Sequence, residues 1–532
     1  MNARKSTSFT RALAAIGAGL GTAGLIIALC NRDVAAEREG ASDQRPPITR
    51  VAHREPADDS GKSAKAALAG LVKVRPAPEF VNNGLKWLVQ AQHKDGGWGA
   101  GSHAHQDVRD PHAVVVDPAT TAFVASALLR NGHTPAGGAY QSNARRATEY
   151  LCSVVEEYTK PGPKITDLEG TQIQSKLGPL VDTAMTSQYL ARVLAILPKD
   201  DKLHARVDKA LDKCLEKLGA SQQKDGSWNV GGGWANVLQS SLGCSALEYA
   251  QAAGKSINKE ALQKARDYQG GNFDDKNGTV KTEAAAGVAL YAYNGSLRAN
   301  AAQSRAAADL IDRAKGEGKL AADAPINEEN LKKAGVNDED ARKFAVANTK
   351  AGIQSLTLNG GSAYTGSTKI SAGVLADSDV NPGTPAVAAT PPASGPVAGP
   401  TSYSGVARVS GGRGLPVGGG AATDDEALLA GFGNNGGEEF LSYMLASESM
   451  VILGEKDWNP WYDRMSGRLA KVQNPDGSWS GHHCITSPVF CTAAVVQTMT
   501  ADQDAEMLAK LAQEAAALAK VEARPETKTA AR

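Results

Sequence analysis

The sequence predicts an all-α chain built from repeated helical hairpins, and three observations predict it. A pattern Gln-x-x-Asp-Gly-[Gly/Ser]-Trp occurs three times, at residues 92–98, 222–228 and 473–479. Apolar residues recur at helical spacing before the pattern. No stretch carries a convincing two-residue alternation of the kind a half-buried strand needs. The composition agrees. Of 532 residues, 42% are hydrophobic, enough for a sizeable core, while only 5% are aromatic, so that core must be mostly aliphatic and Ala. Lys+Arg and Asp+Glu are both 57, so no net field points to nucleic acid or to an acidic partner.

Taken in order, Arg4, Lys5 and Arg11 precede an uncharged run over residues 12–30, which ends before Arg32 and Asp33. The run is long for the apolar region of a signal peptide and just long enough to span a bilayer. Residues 1–30 are therefore expected to be a signal peptide or an N-terminal membrane anchor, N-terminus inside. Either reading places the chain outside the cytoplasm, in a periplasmic or other extracytoplasmic compartment. Residues 31–73, with Pro46, Pro47 and Pro56, read as a flexible tether.

Helical sequence then fills residues 74–358. Leu88, Leu218 and Leu469 each lie four residues before the Gln of their pattern. Leu85 and Val81 extend the first stripe, and Leu215 and Leu211 the second; the third is weaker, with Ser466 and Tyr462 there. Asp-Gly follows as a stop, because Asp tolerates turn geometry and Gly96, Gly226 and Gly477 are free to take positive φ. After the Trp a second helix is expected. Asp117 and Asp182, in the recurring Val-Asp-x-Ala-x-Thr, are its N-cap candidates.

Residues 359–423 contain Pro382, Pro385, Pro391, Pro392, Pro396 and Pro400, with Gly418, Gly419 and Gly420 near the end. Such composition buries too little apolar surface to offset ordering entropy, so a low-complexity insertion is expected, with β structure as the alternative. The helical pattern resumes over 424–500, and 501–532 read as one C-terminal helix and a tail from Pro525. Gly436-Gly437-Glu438-Glu439 reads as the carboxylate-rich first turn of an apolar helix, favourable to its dipole.

The Gln-to-Trp pattern resembles the QW motif of the squalene and oxidosqualene cyclases, whose helical repeat also builds the protein prenyltransferase β-subunits. The likeness covers about residues 79–295 and 425–500. It implies an α/α toroid, a double ring of helical hairpins, in which Gln92, Gly96, Trp98, Gln222, Gly226, Trp228, Gln473, Gly477 and Trp479 are structural repeat residues. The cyclases protonate substrate with the middle Asp of Asp-x-Asp-Asp-Thr-Ala. Here the first Asp matches Asp117, but Ala119 and Thr120 stand at the next two acidic positions. The prenyltransferase zinc set needs an Asp two residues before its Cys; Cys491 stands in that region and Val489 replaces the Asp. The thioester domains of complement-like proteins share the toroid, but Gly436 and Glu439 stand where their Cys and Gln would be.

Six cysteines (Cys30, Cys152, Cys214, Cys244, Cys484 and Cys491) are too sparse for a disulfide scaffold, although Cys484 and Cys491 are close enough in sequence to pair. We expect no cofactor and no metal. His482, His483, Cys484 and Cys491 are the residues from which a metal site could be drawn, and His93, His103, His105 and His112 read as a solvated loop, with weak metal binding as the alternative. The catalytic residues, if any, are unassigned. The expected function is an envelope-associated, non-catalytic binding or scaffold module for a peptide, glycan or lipid. The alternative is a toroid enzyme, either a terpenoid-type cyclase or transferase or a polysaccharide lyase, with a non-standard catalytic acid.

Overall fold

The computed structural model describes residues 72–360, 362–365, 368–371, 406–408 and 436–518, all within the second of two units, Ser60–Arg532. The candidate anchor, most of the tether, most of the 359–423 insertion and the tail beyond residue 518 lie outside the described residues. Among those described the chain is mostly helical, with fifteen α-helices. None of these helices is long and apolar enough to cross a membrane.

Two kinds of helix alternate. Helix α1 (Glu79–Gln90) buries Val81, Leu85 and Leu88 along one face. Helix α2 (Pro118–Arg130) begins at Asp117, whose carboxylate accepts from the Thr120 N–H, and Pro118 takes the first position, where no donor is needed. Almost every residue of α2 is buried. Helix α3 (Gln141–Glu157) is striped again, burying Ala147, Leu151 and Val155. A short α4 (Gln172–Leu177), opened by a Thr171–Gln174 capping box, leads into α5 (Val181–Leu194), which is buried nearly all round. The alternation continues with striped α6 (Lys202–Ser221), buried α7 (Asn236–Ala252), striped α8 (Lys259–Gly270) and the long α9 (Ala289–Gly316). After α10 (Glu328–Lys333) come striped α11 (Asp338–Leu358), buried α12 (Gly437–Leu453), striped α13 (Glu455–Lys471), buried α14 (Pro488–Met499) and α15 (Ala505–Leu518).

A helix apolar on all sides must be covered on all sides. The packing does this. Helix α2 lies on α5, α5 on α7, α7 on α9, α9 on α12, α12 on α14, and α14 on α2. The striped helices cover them: α1 on α14, α3 on α2, α6 on α5, α8 on α7 and α9, α11 on α9, and α13 on α12. Each fully buried Leu or Val contributes roughly 1.5–3 kcal/mol relative to exposure. Helix α15 packs on α9, α7 and α12.

Two sequence readings are corrected. Asp182 is not an N-cap. Helix α5 already starts at Val181, and the Asp182 carboxylate instead accepts from the Ala119 N–H, capping the neighbouring helix α2 at 3.0 Å. Short strands are also present, two of them where none was expected and three within the 359–423 insertion, where β structure was the alternative. Strands β1 (Phe273–Asp274) and β2 (Thr279–Lys281) form a hairpin, and β3 (Ser362–Thr365) and β4 (Thr368–Ser371) form another. Strand β5 (Val406–Arg408) joins β2 antiparallel, with Val280 opposite Ala407. Two to four residues are too few to show a period in sequence.

Candidate functional site

The three Gln-to-Trp turns share one set of contacts. The indole N–H of Trp98 donates to the Leu88 carbonyl at 2.7 Å, that of Trp228 to Leu218 at 2.9 Å, and that of Trp479 to Leu469 at 2.9 Å. Their backbone N–H groups donate to Thr121, Ser240 and Thr492 hydroxyls on the next buried helix. Each Gln amide closes its own turn and also reaches the next striped helix. Gln92 donates to the carbonyls of Gly96 and Asn143, Gln222 to those of Gly226 and Ala261, and Gln473 to those of Gly477 and Phe80. Gly226, at φ +91°, lies against the next helix so closely that a Cβ would sit 2.2 Å from the Lys264 carbonyl. All three indoles are fully buried. The side-chain donors of the three Gln and three Trp residues thus go to backbone carbonyls.

The space between the buried helices is filled by ions. Arg130 and Arg192 lie in the last turns of α2 and α5. Arg130 Nη2 is 2.6 Å from Glu448 Oε1, and its Nε is 2.6 Å from Asp504 Oδ2. Arg192 Nη2 donates to both Asp504 oxygens, at 2.8 and 2.6 Å. Arg298 lies 3.2 Å from both Glu448 and Glu248, and Arg266 Nε 2.9 Å from Glu248. Burial pushes the Glu448 and Asp504 carboxyls up, and the arginines more than reverse that push, leaving both below the usual range. A cavity of about 10 Å³ remains beside Phe123, Met185, Arg192, Tyr249 and Glu448.

At the other ends of these helices, where α12 and α14 begin, a second polar cluster forms. Glu438, in the first turn of α12, is fully buried. The Lys176 ammonium lies 3.1 Å from Glu438 Oε1, yet neither Glu438 oxygen has a well-aligned hydrogen-bond donor. Burial pushes the Glu438 carboxyl up to about 7, against the pull of Lys176. Lys176 Nζ is also 3.6 Å from Cys484 Sγ, and His483 Nδ1 is 3.0 Å from that sulfur. Burial raises the Cys484 thiol and lowers the His483 imidazole. Cys484 holds φ 59°, the left-handed region that a non-glycine residue enters only at a backbone cost. Trp234, 54% exposed, stands over the cluster, with His103 edge-on at 5.4 Å and Lys176 5.7 Å from its ring centre. The Tyr291 hydroxyl and the Gln172 amide nitrogen at this end are buried without hydrogen-bond partners.

Of the residues from which the sequence drew a metal site, the structure brings together His483 and Cys484. His482 is exposed and outside the cluster. Cys491 is buried in α14, its sulfur 3.8 Å from the Ile485 carbonyl, and all five described cysteines are free thiols. Among the described residues the third member is Glu438, whose oxygen, the His483 nitrogen and the Cys484 sulfur lie within 4.8 Å of one another. Of the four loop histidines, His103 joins the Trp234 platform, while His93 contacts the Pro111 carbonyl and the His112 ring. Glu438, Lys176, His103 and Trp234 are not recognisable as one site in the sequence because they are far apart in it; the one local signal is the Gly231-Gly232-Gly233 run before Trp234. No family model matches the chain, and no curated protein matches its sequence.

Proposed function

We propose that this chain is an α/α toroid of the cyclase and prenyltransferase type that binds a ligand rather than transforming one in its centre. The circuit of buried helices from α2 through α14 and back to α2 supports the toroid, as does the Gln473 bond from the last pattern to Phe80 in α1. The observation that carries the binding reading is the ionic filling: among the described residues, buried Arg–carboxylate pairs occupy the space between the buried helices, and the cavity beside Glu448 measures about 10 Å³. Ligand contact then falls to the end where α12 and α14 begin, where Trp234 offers an exposed aromatic face beside Lys176 and His103. A peptide, glycan or lipid fits that description. The uncharged run over 12–30, with its basic flank, supports export and attachment at a membrane.

Purified chain titrated with peptide, glycan and lipid panels should show indole-fluorescence changes that Trp234→Ala removes without altering the melting temperature. Retention of every binding signal in Trp234→Ala would refute this placement. A second reading, an enzyme, is favoured by Glu438, a buried carboxyl held near neutrality without an aligned donor. Incubation with squalene and with an anionic polysaccharide separates the two. Both substrates should persist unchanged, and turnover that Glu438→Gln abolishes would replace the binding module with an enzyme.

A further inference from the structure

The polar cluster at the start of α12 and α14 has a donor set with a recognisable preference. It combines one thiol, one imidazole and one carboxylate, from Cys484, His483 and Glu438, with ligand atoms within 4.8 Å of one another. We propose that these three side chains hold one borderline-soft divalent cation of the zinc type, with a fourth position left open.

Three observations lead there. Hard cations such as magnesium and calcium take oxygen donors, whereas sulfur and nitrogen with one carboxylate suit zinc, and three protein ligands leave one position free. Neighbouring side chains in extended backbone point to opposite sides. Here the left-handed φ of 59° at Cys484 accompanies convergence of two adjacent side chains, with His483 Nδ1 3.0 Å from Cys484 Sγ. Such strain persists where a site requires it. Finally, the fully buried Glu438 carboxylate lacks an aligned donor, which a native structure normally supplies. A cation would complete its coordination.

Lys176 fits this picture as the counter-ion of the metal-free state. Its ammonium already stands among the same donors, 3.1 Å from Glu438 Oε1 and 3.6 Å from Cys484 Sγ. Zinc entry displaces that ammonium and releases the thiol proton to solvent as the sulfur becomes a thiolate. Cys491 takes no part, and the inference stands whether or not the chain is a binding module.

The test uses the full, untagged chain, reduced and stripped with a chelator. Titration with zinc chloride alone should show one equivalent bound, and cobalt(II) should give a thiolate-to-metal charge-transfer band in the unsubstituted chain. Cys484→Ser and Glu438→Gln should each weaken zinc binding at least about tenfold, the order of loss seen when a metal site is disturbed. Cys491→Ser should bind as the parent does, and Lys176→Met at least as tightly. Far-ultraviolet circular dichroism checks that each variant is folded, and the cobalt band reports sulfur ligation even if one is not. Substoichiometric zinc in the parent chain, cobalt without the sulfur band, or parental affinity in folded Cys484→Ser would overturn the proposal.

Discussion

At the scale of single residues the fold rests on a few side chains that satisfy backbone groups. Trp98, Trp228 and Trp479 each bond a carbonyl in the last turn of the preceding helix while filling the junction behind it. Replacing any one by Ala should cost about 3–5 kcal/mol, read as a lower melting temperature. Gly226→Ala should cost more than about 1 kcal/mol, because the side chain would meet the Lys264 carbonyl at a positive φ. The indole-to-carbonyl bonds join residues ten apart, which is a distance at which sequence patterns carry information. The Glu438–Lys176 pair spans far more chain. Nothing near Lys176 in sequence marks it as the partner of a carboxylate, and Glu438 reads simply as a first-turn acid. That is why the helices were legible while the polar cluster was not.

At the scale of elements the same asymmetry appears. Stripes such as Val81, Leu85 and Leu88 give a helix away by their spacing. Helices like α14, apolar on every side, announce burial but not their neighbours. The use of Asp182 to cap α2 shows the difference, since a start signal in one helix serves another. Asp182→Ala should destabilise by about 1–3 kcal/mol, because the Ala119 N–H and the Gln174 amide both lose a buried acceptor. Urea midpoints of parent and variant measure this directly. The strands β1 and β2 were illegible for another reason: each is too short to establish its own periodicity.

For the whole molecule, the buried ions couple distant helices into one unit. Glu448→Gln should destabilise by about 3–5 kcal/mol, since Arg130 and Arg298 would keep their charge in a dry interior with less to balance it. Stability should also depend on pH in two opposing arms. Glu448 and Asp504 have depressed folded values, so their contribution is present above about pH 4, the unfolded range, and is lost as pH falls through the folded values. Asp117 and Asp182 are pushed up by burial to about 6 and about 7. The folded chain therefore holds protons that the unfolded chain releases, and stability declines as pH rises from about 4 to about 7. Urea unfolding from below about pH 4 to above about pH 7 tests both arms, and a flat profile would contradict them.

The bond from Gln473 to Phe80, together with that from the Gln503 amide to the Arg75 carbonyl, sets the first striped helix beside the last. The order in which the helices are threaded is then largely a matter of convenience. Cutting the polypeptide between residues 372 and 405 and splicing residue 518 to residue 72 through a flexible linker long enough to run back along α15, roughly 21 Å, would give a circular permutant with every described helix intact. Such a rearranged chain should recover the parent helicity and cooperative melting, measured by circular dichroism.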